Sequence, residues 1–318
     1  MKLKQVPEDF VVKEIPGFQK GKGQYNIFLL KKRDYTTEKA IQTLCSALHI
    51  DRKRVGYAGI KDRRAVTEQY ISILHVGREK VESLEFEDLE LEFIDISDNP
   101  ISLGDLKGNK FEIVARDLDE DVDINSDKKI KNYFDEQRFS HNNDLVGKAM
   151  IKGNFEKAVA LVLESQGSYE DKMKKFLEEH PNNYIGALQL IPHKILLLFV
   201  HAYQSRIFNK TIEKLKPKEN VEVPIVGFDT DFEDEEVERI IQKLMKEEKI
   251  TERDFIIQSF PSLTCMGDKR KIYVEPQNLE VSQLEEDELN KGKYKVKITF
   301  SLPKGAYATN VAKQIIKE

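Results

Sequence analysis

Gly56-Tyr57-Ala58-Gly59-Ile60-Lys61-Asp62-Arg63-Arg64-Ala65-Val66-Thr67-Glu68-Gln69 is the most informative stretch of this 318-residue chain. Its two leading glycines permit a tight backbone turn. One carboxylate, Asp62, follows among three cations, Lys61, Arg63 and Arg64. Nearby positive charge keeps an aspartate ionised, as a nucleophile or general base requires. The same cations suit phosphates. By charge pattern alone, however, a Lys-Asp-Arg-Arg loop is more often a solvated turn. Glu68 to Val76 alternates around Tyr70, Ser72 and Leu74 and reads as a strand. The carboxylate therefore sits on a turn that leads into a strand.

Outward from this turn, both chain ends are rich in strand signals. Phe10 to Glu14 is a short strand stopped by Pro16 and Gly17. Gly21 and Gly23 mark a turn, and Tyr25 to Lys32 is a second, apolar run, so a hairpin with a loose basic loop is expected. Thr36 or Thr37 caps a helix carrying Ala40, Ile41, Leu44 and Leu48 at helical spacing. Lys110 to Arg116 and Tyr294 to Leu302 are further strands, and Ala308 to Ile316 a last helix. The middle reads differently: helices are expected at Phe155–Leu163, Glu170–Glu179, Val237–Glu248 and, singly or split at Pro192, Ile185–Leu215. Gly267-Asp268-Lys269-Arg270 reads as a turn before a strand at Lys271–Val274. The pattern predicts an α+β chain with a mixed, largely antiparallel sheet built from both ends. A helix-rich domain, residues 156–270, would be inserted into a domain made of residues 1–155 and 271–318.

Composition narrows the function classes. No apolar run approaches the roughly 20 residues of a membrane span. The opening MKLKQVPEDF lacks a signal-peptide core, so a cytoplasmic protein is expected. Cys45 and Cys265 lie far apart and the six histidines show no HxH or HxxxH spacing, which argues against a disulfide framework or a metal centre. The net charge is −5, but it is unevenly placed. Residues 1–64 hold 15 Lys+Arg against 7 Asp+Glu, a balance of 15 − 7 = +8. Asp229 to Ile240 holds seven acidic residues and one arginine, a balance of −6. With a Debye length of about 8 Å, a distant acidic run does not cancel a local basic surface. Such a surface fits a nucleic acid, although a solvated face explains the charge equally well.

Gly59-x-Lys61-Asp62-x-x-Ala65-x-Thr67-x-Gln69 resembles the signature of TruD-type pseudouridine synthases. Five further segments match in the family's order. They are Lys4 with Pro7-Glu8-Asp9-Phe10; Leu103-Gly104-x-Leu106-x-Gly108-Asn109-x-Phe111; Asn132-Tyr133-Phe134-x-x-Gln137-Arg138-Phe139; Ala202-Tyr203-Gln204-Ser205-x-x-Phe208-Asn209; and Leu302-Pro303-Lys304-Gly305-x-Tyr307-Ala308-Thr309. The resemblance spans the chain and implies a pseudouridine synthase catalytic domain with an inserted TRUD domain. It implies isomerisation of a tRNA uridine, expected at uridine 13 in the D arm, with no cofactor and no metal. Asp62 takes the catalytic position, as nucleophile or base. Lys4 matches a lysine that ion-pairs with it. Phe10 and Phe134 would flank a base, Asn132 would read the uracil edge, and Tyr307 matches an aromatic of the pocket. Glu8, Lys61, Arg63, Arg64, Gln69 and Arg138 are candidate supporting or RNA-contacting residues. Asp135 and Ser140 stand where glycines are common in the family, which bears on substrate range.

The rival reading is a non-catalytic RNA-binding protein or tRNA-folding chaperone of the same fold. A pure binder has no need of a buried nucleophile, yet Asp62 and Lys4 are both present. An RNA methyltransferase would need a cofactor pocket, and no glycine-rich GxGxxG loop follows a strand. No membrane partner is expected, and the sequence is compatible with a monomer.

Overall fold

The computed structural model describes residues 1–125, 129–165, 169–216, 218 and 221–317. The chain divides into two compact units, Met1–Ile130 with Glu275–Glu318, and Lys131–Val274. Residues 131–155, expected with the first domain, pack within the second unit.

The first unit carries β1 (Phe10–Pro16), β2 (Tyr25–Arg33), α1 (Thr37–Leu48), β3 (Val55–Tyr57), β4 (Val66–Leu74), β5 (Leu89–Ser97) and β6 (Leu106–Leu118). Among the described residues these strands and C-terminal ones form a nine-stranded sheet. Its order is Gln277–Val281, Tyr294–Pro303, β6, β1, β4, β2, β5, with Glu285–Glu286 and β3 added at the side. β1 and β4 run parallel; the other pairs of this sheet are antiparallel.

The expected hairpin does not form, because β4 lies between β1 and β2. The glycine-rich connection crosses the sheet end instead. Gly17 N–H donates to Asp105 O, Gly21 N–H donates to Ile96 O, and Phe18 packs on Tyr70 of β4. Turn residues specify that the chain can bend there; they do not specify which strand fills each edge.

Thr36 caps α1 by accepting from Lys39 N–H. Ala40, Ile41, Leu44 and Leu48 then bury against Phe28 and Leu30 of β2 and Ile71 and Ile73 of β4. Between the C-terminal strand and β6, Leu302 pairs with Asn109 and Pro303 with Gly108. A Cβ at Gly108 would lie 2.2 Å from Leu302 O, so only glycine permits this approach.

The second unit is mostly helical. Tyr184–Gln189 and His193–Lys214 are separate helices, with Pro192 as N-cap of the longer one. Asn143–Ile151 packs on that long helix so closely that a Cβ on Gly147 would meet Phe199 O at 2.0 Å. The acidic run has a local use: Asp234 caps the helix Glu235–Glu248, whose first turn carries Glu235, Glu236 and Glu238. Asp268, Lys269 and Arg270, expected in a turn before a strand at Lys271, already belong to the strand Asp268–Lys271, which pairs with Glu222–Ile225. No described helix is long and apolar enough to cross a membrane.

Candidate active site

Asp62 lies on an irregular segment between β3 and β4. Its carboxylate oxygen Oδ2 receives a hydrogen bond from Lys4 Nζ at 2.6 Å. The side chain is 42% exposed, so the carboxylate is open, not buried as expected for the nucleophile. Oδ1 has no protein partner among the described residues. One oxygen is thus held by a cation on a partly exposed side chain, an arrangement able to attack a carbon or take a proton.

Lys4 reaches Asp62 from the N-terminal segment. Its backbone sits in the left-handed region, φ 60°, uncommon for a residue with a Cβ. Its ammonium lies 4.0 Å from the centre of the Phe10 ring, a cation–π contact. Phe10 is 3% exposed and its edge meets Phe111. It therefore supports Lys4 and offers no open face to a base.

The Asp62 loop is pinned from within. Lys61 N–H donates to Thr37 Oγ1 at 2.9 Å, and that hydroxyl donates to Gln69 Oε1 at 2.8 Å. Gln69, fully buried in β4, donates back to Gly59 O. The Lys61 side chain turns inward, 2.8 Å from Glu14 and 2.6 Å from Asn109 Oδ1. A buried Lys61 does not meet phosphates, which corrects one reading of the basic cluster. Arg63 is exposed and loosely paired with Asp34 at 3.5 Å, while Arg64 donates to Gln5 O. Glu8 binds Arg33 at 2.6 Å, and this hydrogen bond holds its carboxyl below the usual range. Tyr307 is the N-cap residue of the helix Ala308–Ile315.

Lys32 carries no assignment from the sequence. It is 2% exposed, and its Nζ donates to Tyr35 O at 2.5 Å and Asp62 O at 3.0 Å. Burial pushes its pKa down from 10.5 to about 8, against the attraction of Asp62 and with the repulsion of Lys61. A folded value below the unfolded one gives a contribution to stability that is present above pH 10.5. That contribution is lost as pH falls through about 8. Charged Lys32 is thus a net cost to the fold at neutral pH.

The remaining candidates lie in the second unit. Phe134 is 8% exposed; Arg270 stands 4.3 Å and Arg138 5.3 Å from its ring centre, and Phe208 meets it edge-on. Asn209 brackets its backbone, accepting from Phe134 N–H and donating to Phe134 O, both at 2.9 Å. Asn132 donates to Lys271 O and accepts from Arg270, so its amide braces the segment around it. Arg138 donates to Ser205. Asp135 accepts from Glu136 N–H as N-cap of the following short helix. Arg270 and Asn209 have no charge or spacing signature that marks them in sequence as partners of Phe134.

The family model for tRNA pseudouridine synthase D (TruD) matches residues 1–175, 162–220 and 215–315. A probable tRNA pseudouridine synthase D of Methanosarcina acetivorans is 30% identical over 99% of this chain and 92% of its own length. The tRNA pseudouridine synthase D of Aquifex aeolicus is 28% identical over 99% of this chain and 98% of its own. The crystal structure of a putative tRNA pseudouridine synthase D from Methanosarcina mazei superposes with a TM-score of 0.79 at 28% identity. It covers 100% of this chain and 93% of that one. With its carboxylate–lysine pair on a pinned loop and a family match from end to end, this chain belongs to the TruD family of tRNA pseudouridine synthases.

Proposed function

We propose that this chain isomerises uridine 13 in the D arm of tRNA to pseudouridine, with Asp62 acting directly at the sugar or base. The observation that carries this is the Asp62–Lys4 pair: a carboxylate gripped at Oδ2 by an ammonium at 2.6 Å and 42% exposed. Detaching uracil from the ribose, turning it and rejoining it through C5 is redox-neutral. It needs a group that acts at the sugar carbon or at a nearby proton, and one carboxylate meets that need. A stacked uridine must first be extruded, at a cost of a few kcal/mol. Within their own units, Tyr307 and Phe134 remain the aromatic contacts that the family resemblance implies; Phe134 is buried with Arg270 and Arg138 against its ring, so a base meets it only where a guanidinium gives way. The helical unit Lys131–Val274 is the proposed counterpart of the inserted domain.

Unmodified tRNA transcript incubated with the protein in EDTA, then labelled with carbodiimide and copied by primer extension, tests the reading. A new stop at uridine 13 is expected. A stop elsewhere would replace the D-arm assignment, and no stop on any tRNA with binding intact would favour an RNA-binding protein.

Arg63 and Arg64 are the exposed cations beside Asp62. Arg63→Ala or Arg64→Ala is expected to weaken tRNA binding and to reduce the slope of log K against log salt by about 0.7 to 0.9 for each phosphate no longer neutralised. Titrations at several salt concentrations measure it; an unchanged slope in both variants would remove these arginines from the interface.

A further inference from the structure

We infer that Lys32 is a positioning residue for the reaction: from inside the fold, its ammonium anchors the main chain of Asp62 and adds positive charge behind the carboxylate. The inference rests on the reading of Asp62 as the catalytic group.

Three observations converge on it. The first is geometry. Lys32 Nζ bridges the carbonyl of Asp62 and that of Tyr35, the residue before the cap of α1. It thereby fastens an otherwise irregular loop to the rigid start of a helix. The second is placement. Lys32 follows Phe28 and Leu30 on the inward phase of β2, where an apolar side chain would pack at no electrostatic cost. The third is division of labour. Lys4 grips the carboxylate at Oδ2 while Lys32 grips the same residue at its carbonyl. With the main chain fixed from one side and the side chain from the other, Oδ1 is left with a defined direction.

A lysine exposed by only 2% is costly to the fold, and its low pKa records that cost. A water or a neutral amide would satisfy two carbonyls. A full charge adds a positive field behind Asp62 that a water or amide would not supply and that, coming from a buried group, is little screened by salt. Lys61, the other buried cation of the loop, is neutralised by Glu14, so its field at Asp62 is largely cancelled. Lys32 has no carboxylate partner of its own among the described residues, and its interactions are with main-chain oxygens.

The test uses the full chain and unmodified tRNA, with Lys32→Met, Lys32→Gln and Lys32→Ala beside Asp62→Ala. Single-turnover rate, tRNA affinity and thermal unfolding are measured for each. Lys32→Met and Lys32→Gln are expected to unfold cooperatively and bind tRNA within about twofold of wild type, with rates reduced on the order of 100-fold. The glutamine variant keeps a shorter, neutral donor, so the ammonium-against-propanol rescue of Lys32→Ala is what separates charge from hydrogen bonding. Propylammonium is expected to restore part of the Lys32→Ala rate, while propanol, of like shape and no charge, is not. A rate within about threefold of wild type in the Met or Gln variant, with Asp62→Ala inactive, would overturn the inference alone. Losses that merely track the unfolded fraction, without ammonium rescue, would overturn it too. An active Asp62→Ala would remove the reading beneath it.

Discussion

Asp62→Ala is expected to abolish pseudouridine formation, by on the order of 10⁴-fold or more, while tRNA binding persists. Among the described residues the carboxylate is the acidic group that Lys4 holds, so no neighbour there replaces it. The fold should tolerate the change. The side chain is 42% exposed, and the loop is held through its backbone and through Lys61, Thr37 and Gln69. Binding should hold or improve slightly, since the variant removes a negative charge from a surface that meets a polyanion. Lys4 would then be an unpaired cation free to meet a phosphate. Single-turnover assays beside binding titrations decide the matter. Residual activity within about tenfold of wild type would exclude Asp62 from the chemistry, and a collapse of binding would make it an RNA contact instead.

Arg116→Met should be the most damaging single change to stability, at about 3–5 kcal/mol. Arg116 is 6% exposed and forks to three carboxylates: Asp9 at 2.7 Å, Asp287 at 2.8 Å and Glu288 at 3.0 Å. Methionine would leave Asp9 and Asp287 buried without their cation, at 1% and 5% exposure. For a protein of this size the loss corresponds to a fall in Tm of roughly 5–8 °C. Activity should fall as well. Arg116 exchanges backbone hydrogen bonds with Lys2, and Asp9 accepts from Val6 N–H, so this cluster fixes the segment that delivers Lys4. Circular dichroism melts with assays at low temperature would separate the two effects. A Tm within about 2 °C of wild type would show that the cluster contributes little.

The same cluster sets the acid response. Burial would raise the Asp287 carboxyl, but hydrogen bonds from Asp117 N–H, Asn290, Leu289 N–H and Arg116 outweigh it and hold the group well below 3.8. A depressed folded value contributes stability that is complete above the unfolded value, shrinks as pH falls below it and is gone once pH has passed the folded value. The Asp287 carboxylate thus stays ionised in mild acid while its contribution to stability already declines below about 3.8.

Local signals hold for local structure. The apolar stripe of α1 and the strand before Pro303 are settled by neighbours in sequence, and the structure keeps both; it also resolves two alternatives the sequence left open, with Thr36 as the cap and two helices separated at Pro192. The motif around Asp62 is legible because chemistry restricts residue types there: glycines for the turn, a carboxylate, and cations beside it. Lys32 carries a readable trace, since a charge on the inward phase of an apolar strand demands a reason.

What tertiary structure alone decided is partnership across long separations. β4 enters between β1 and β2 because sheet order follows the match of buried faces, which no turn signal encodes. That insertion sets Glu14 of β1 beside Lys61, and so turns a cation that reads as an RNA contact into a buried brace. It also brings Lys32 of β2 beneath the loop that precedes β4. The sequence by itself determined many of the elements and the family, and it singled out Asp62 as the candidate carboxylate. The resemblance already named Lys4 as the lysine at its side chain; only the packed structure decided which lysine holds its backbone and which is neutralised elsewhere. A charge's role depends on burial and on its nearest counter-charge, and both are created when distant strands meet.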